Sequence, residues 1–89
     1  MDVIKRNRKR QRFSATKLRR SIDGAARRGS VKASQRSVIV REISTGIMGR
    51  LRGRRTVRST ELRRMVLGRL ERKSRAAAAA WRRSERKKK

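Results

Sequence analysis

The chain has 89 residues, of which 31 are Lys or Arg and 6 are Asp or Glu, giving a formal net charge of +25. That length holds one small domain, and with Leu, Ile, Val and Phe at roughly a fifth of the residues it cannot bury a large core. Cys and His are absent, which excludes zinc sites, disulfides, thiol nucleophiles and His-based acid–base pairs.

The chain opens on Val3 and Ile4, which suit a half-buried strand, and Phe13 marks a second one. Between them Asn7-Arg8 is read as the turn, because Asn tolerates positive φ. Ser14 offers a hydroxyl cap to a first helix, Ala15 to about Arg28, whose narrow apolar stripe is Leu18, Ile22, Ala25 and Ala26. Gly29 is placed at its C-cap. Ser34 is expected to cap a second helix running to about Leu51, with Val38, Ile39, Ile43, Ile47, Met48 and Leu51 as its apolar positions. Gly53 ends that helix. Residues 54 to 57 then suit a short third strand pairing with the hairpin. Ser59 is expected to cap a third helix with Glu61 near its positive end and Leu62, Met65, Val66 and Leu70 buried. Ser74 is expected to cap a fourth helix, Arg75 to about Arg86, in which Ala76 to Ala80 form helix readily but have little to bury. Trp81 is its one large side chain and should dock onto the core.

The opening run Val3, Lys5, Arg6, Asn7, Phe13, Ser14, Lys17, Leu18 resembles the start of the ATP-cone. This is the nucleotide-sensing domain of ribonucleotide reductases and of their transcriptional repressor. The resemblance extends more weakly over nearly the whole chain, including a valine, a small polar residue and a helix from Val57 onward. It implies an α+β fold with a two- or three-stranded sheet and four helices, in a single domain over residues 1–86 followed by a basic tail, 87–89. It also implies ATP or dATP as ligand, with Val3, Lys5, Arg6, Lys17 and Ser59 at the nucleotide. The chain departs from the family at the turn glycine, here Arg8, and at the acidic position two before the Phe, here Gln11. An ungapped alignment from Ser59 puts the family's last-helix Tyr and Arg on Ala78 and Ala80, its Phe on Trp81 and its last Arg on Arg86.

The charge points to a polyanionic partner, since solubility requires far less. Arg8, Lys9, Arg10, Arg12, Arg19, Arg20, Arg27, Arg28, Arg52, Arg54, Arg55, Arg82, Arg83, Arg86, Lys87, Lys88 and Lys89 are the candidate phosphate contacts. Arg outnumbers Lys, which favours bidentate phosphate recognition. With Phe13 and Trp81 both assigned to the core, base stacking is not expected to contribute. The carboxylates are scattered, so each is expected to neutralise a neighbouring Arg; there is no catalytic constellation and no required cofactor. The reading is of a non-catalytic RNA-binding protein of the ribosomal type, with ribosomal protein neighbours. The alternatives are an ATP/dATP-sensing DNA-binding regulator and a DNA-compacting protein. No apolar run reaches the length of a membrane span and no signal-peptide core is present, so a cytoplasmic location without membrane contact is expected.

Overall fold

The computed structural model describes the backbone of residues 1–87 and the side chains of residues 1–84. Three short strands, β1 (Asp2–Ile4), β2 (Arg10–Arg12) and β3 (Thr56–Arg58), accompany four helices, α1 (Ala15–Arg28), α2 (Ala33–Leu51), α3 (Ser59–Lys73) and α4 (Arg75–Lys87). The class is α+β. The sheet order is β2-β1-β3. The hairpin pair β1/β2 is antiparallel, with Val3 opposite Gln11. The pair β1/β3 is parallel, with Val3 opposite Val57. Parallel pairing needs a long crossover, and here β2, α1 and α2 supply it. No helix among the described residues is long and apolar enough to cross a membrane.

The hairpin turn differs from the sequence reading in one respect. Arg8 N–H donates to the Lys5 carbonyl and Lys5 N–H to the Lys9 carbonyl, with Arg8 at φ 66°. This is a tight turn followed by a left-handed bulge residue, a position that glycine fills at least cost. The positive φ therefore falls on Arg8, not Asn7. Asn7 instead accepts from the Lys9 amide through its side chain, at 3.1 Å.

Helix α1 begins as expected, Ser14 Oγ accepting from the Lys17 amide at 3.2 Å. Ser74 Oγ caps α4 the same way, from the Ala77 amide at 3.1 Å. The other two expected caps are corrected. Helix α2 starts one residue before Ser34, with Lys32 at the cap position. Ser59 is the first residue of α3, entered directly from β3 through Arg58. A serine already in helical backbone cannot reach the amides of the first turn. Neither Lys32 nor Arg58 makes a side-chain cap bond.

The C-terminus of α1 closes with Ser30 N–H donating to the Arg27 carbonyl and Val31 N–H to the Ala26 carbonyl. That pattern requires a left-handed residue, and Ser30 takes it at φ 62°. Ser30→Gly is expected to raise stability by about 1 kcal/mol, read as a rise in urea midpoint at unchanged slope.

Ile22, Ile43, Ile47, Val57, Val66 and Leu70 form the fully buried centre. Two expectations change here. Val38, placed on the buried stripe of α2, is 41% exposed. Ala77, Ala78 and Ala80 are buried at 0–1% exposure, because α4 lies tightly along α1, the most extensive helix pair in the fold. The alanine run is a seam that larger side chains would force apart. Trp81 packs half-buried against the core, as expected.

Arg54 grips Glu61 with two bonds of 2.8 and 2.9 Å, tying the loop before β3 to the first turn of α3. The Arg54 hydrogen bond, more than the nearby charges of Arg54 and Arg58, holds the Glu61 carboxyl below its ordinary range, and partial desolvation opposes it. A depressed carboxylate contributes stability above the ordinary carboxylate range and loses it as pH falls through the depressed value. Glu61→Gln is thus expected to lower the melting temperature at neutral pH, with the difference from the native chain closing at the acid end of a pH series.

Candidate nucleotide and phosphate cleft

A cleft of about 890 Å³ opens between the hairpin, α1, α3 and α4. The hairpin contributes Lys5, Arg6 and Arg12 to its wall; α1 contributes Lys17, Arg20 and Arg28; α3 contributes Arg63. Among the described residues, seven cations line the cleft and no Asp or Glu does. The structure also explains where the acids went. Asp2 pairs with Arg10, Asp23 with Arg27 and Arg36, Glu42 with Lys73, Glu61 with Arg54, and Glu71 with Arg82. None of the seven cleft cations takes part in these pairs. The expected neutralisation of carboxylates by neighbouring cations holds for each of these five, and it happens outside the cleft.

Local sequence sets this arrangement. Along α1, Lys17, Arg20, Ser21, Gly24 and Arg28 fall at the spacing of one helix face, and all five line the cleft. The opposite face carries Leu18, Ile22, Ala25 and Ala26 into the core. Gly24 leaves the middle of the stripe without a side chain; a Cβ there would meet only the Arg28 guanidinium, at 3.6 Å. Lys17 stands in the first turn of α1, where the backbone amides point outward and the helix dipole is positive. A cation in that position is disfavoured unless an anion joins it.

All five positions expected at a nucleotide, Val3, Lys5, Arg6, Lys17 and Ser59, are brought together in this one cleft. Val3 and Ser59 sit there because parallel pairing places β3, and with it the start of α3, beside β1. Arg12, Arg20 and Arg28, expected only as general phosphate contacts, prove to belong to the same cleft. Arg63 appeared in no sequence-based set; its only signal is its place one turn after Ser59 on α3. Of the remaining phosphate candidates, Arg10, Arg27, Arg54 and Arg82 are held in the ion pairs above. Arg8, Lys9, Arg19, Arg52, Arg55 and Arg83 are exposed. The side chains of Arg86, Lys87, Lys88 and Lys89 lie outside the described residues.

The α4 positions aligned with the family's Tyr and Arg, Ala78 and Ala80, face inward and are buried. Trp81 and Ser84 are the α4 residues that reach the cleft. Phe13 lines it as well, so both aromatic residues of the chain border the cationic concavity in addition to serving the core. The Trp81 indole nitrogen is buried and has no hydrogen-bond partner among the described residues.

Comparison with known proteins gives one family. The model of the ATP cone domain matches residues 1–89, the whole chain. A search of curated proteins finds no match.

Proposed function

The chain belongs to the ATP-cone family, a non-catalytic, nucleotide-sensing domain, and from that premise we propose that its basic cleft binds ATP or dATP. One observation carries this reading: among the described residues, seven cations without a carboxylate share a cleft with both aromatics. Triphosphate oxygens accept from Lys5, Arg6 and Lys17, with the first-turn amides of α1 behind them. The base has Phe13 and Trp81 beside it. Val3 and Ser59 border the sugar side of the same space.

The test is calorimetry on the full chain with ATP and with dATP. Saturable binding in the micromolar range is expected for at least one of them. It should weaken about tenfold to a hundredfold in Lys5→Ala and in Lys17→Ala and be kept in Arg72→Ala, which removes an equal charge from the exposed surface outside the cleft. Heat that never saturates, or that falls equally in all three variants, would reduce the interaction to general charge attraction.

A second reading rests on the exposed cations outside the cleft. Arg8, Lys9, Arg19, Arg52, Arg55 and Arg83 make no ion pair among the described residues. Such a surface meets a sugar-phosphate backbone with steep salt dependence and little sequence preference. On this reading the chain is a small RNA-binding protein of the ribosomal type, with ribosomal proteins as neighbours; a DNA-binding ATP/dATP-responsive regulator and a DNA-compacting protein would present the same kind of surface. Sedimentation of a cell lysate separates these, because absence from ribosomal particles at moderate salt contradicts the ribosomal assignment.

A further inference from the structure

We propose that the cleft also seats single-stranded RNA, and that the nucleotide and the RNA strand exclude one another there. The proposal rests on the reading that the cleft binds ATP or dATP, and extends it to how that binding is used.

Charge makes the first argument. A triphosphate offers three phosphate groups to seven cations drawn from three elements. Along α1 alone the cationic stripe runs from Lys17 to Arg28, about 16 Å at the helical rise. That row is longer than one triphosphate and suits the backbone of several consecutive nucleotides. A strand threaded along the stripe engages Lys17, Arg20 and Arg28 together, the Arg28 guanidinium lying back over the bare Gly24. The exposed Arg8 and Lys9 at the hairpin tip continue the positive surface beyond the rim.

The aromatic residues make the second argument. A cationic groove bordered by aromatic rings is how proteins hold unpaired strands, since bases stack on the rings while the phosphates follow the charge. The chain has two aromatics, and both lie here. A duplex keeps its bases stacked inside and gains nothing from these rings. Asn7, Gln11, Ser14 and Ser59 add amide and hydroxyl groups that can bond a ribose 2′-hydroxyl.

Exclusion follows from geometry. Lys5, Arg6, Lys17, Phe13 and Trp81 would be required by either ligand, and one cleft of this size has a single set of them.

The experiment is a fluorescence-anisotropy titration of the full chain with a labelled ten-residue oligouridylate, with and without ATP, at fixed ionic strength. With ATP at ten times its own Kd from calorimetry, the apparent Kd for RNA is expected to rise about tenfold. AMP at matched ionic strength should have little effect. Arg28→Ala should weaken RNA more than it weakens ATP and should lower the salt slope by about one. If ATP gives saturable heat but leaves RNA affinity unchanged, the exclusion is overturned while the nucleotide reading stands. If ATP gives no saturable heat, the nucleotide reading fails and the exclusion with it. A DNA oligomer of the same length, or a duplex, binding as tightly as the RNA overturns the assignment to RNA.

Discussion

Gly29→Ala is expected to destabilise the fold by about 2–4 kcal/mol, enough to leave a substantial fraction of so small a domain unfolded at 37 °C. The reason is steric. A Cβ on Gly29 would stand 2.6 Å from the Ala77 nitrogen, 2.7 Å from the Ala76 carbonyl carbon and 2.9 Å from its oxygen. These are backbone atoms at the first turn of α4 and cannot rotate away. Relief requires α1 and α4 to move apart along a seam in which Ala25, Ala26, Ala77 and Ala78 are all buried. Such opening loses contacts along the whole interface. Gly29 itself has φ −83°, so backbone conformation does not demand glycine there; close approach does. The control is Gly68→Ala, in the middle of α3 with nothing within 4 Å of the added methyl, which should stabilise by about 0.5–1 kcal/mol. Urea melts of the two variants should move in opposite directions. A neutral Gly29→Ala would mean that α1 and α4 do not meet this closely.

Lys17→Ala is expected to weaken ATP or dATP binding about tenfold to a hundredfold, the loss of one charge-assisted contact to phosphate. Its effect on stability should have the opposite sign. Lys17 makes none of the ion pairs described. It stands in the first turn of α1 at the positive end of the dipole, and alanine is the better helix former. A stability gain of a few tenths of a kcal/mol is therefore expected together with the loss of binding. That crossed outcome separates a ligand-facing lysine from a structural one. Arg63→Ala should act in the same direction on binding and more than additively with Lys17→Ala if both touch one triphosphate. A Lys17→Ala chain with native affinity would remove the α1 N-terminus from the site.

How much of this was legible in sequence depended on the kind of signal. The limits of α1 were readable because an apolar stripe, a serine and Gly29 agree. The register of α3 was readable from Leu62, Met65, Val66 and Leu70, although only Val66 and Leu70 are fully buried. Ser34 and Ser59 misled because a serine one residue inside a helix looks the same in sequence as one at its cap. The alanine run of α4 carries almost no hydrophobic signal, so a buried seam resembles an idle helix until α1 is seen against it. In the cleft, Lys5, Arg6 and Lys17 stood out only through resemblance to a family. Arg20, Arg28 and Arg63 could not stand out, because in a chain with 31 basic residues only three-dimensional placement tells a lining cation from its neighbours. The same holds for Phe13 and Trp81: a half-buried ring serves core and cleft alike, and sequence gives no means of assigning both roles.

The account depends on one site gathering these residues around an adenine nucleotide, and amide-detected NMR of the full chain titrated with ATP tests it most directly. Trp81 is the single tryptophan, so its indole N–H gives one resolved cross-peak, from a ring that lines the cleft. Saturable shifts are expected at that peak, at the amides of Lys5 and Arg6, along Ser14 to Arg20, and from Ser59 to Arg63. Saturable shifts confined to α2, or a diffuse response to ATP that matches inorganic phosphate and spares the indole peak, would contradict it.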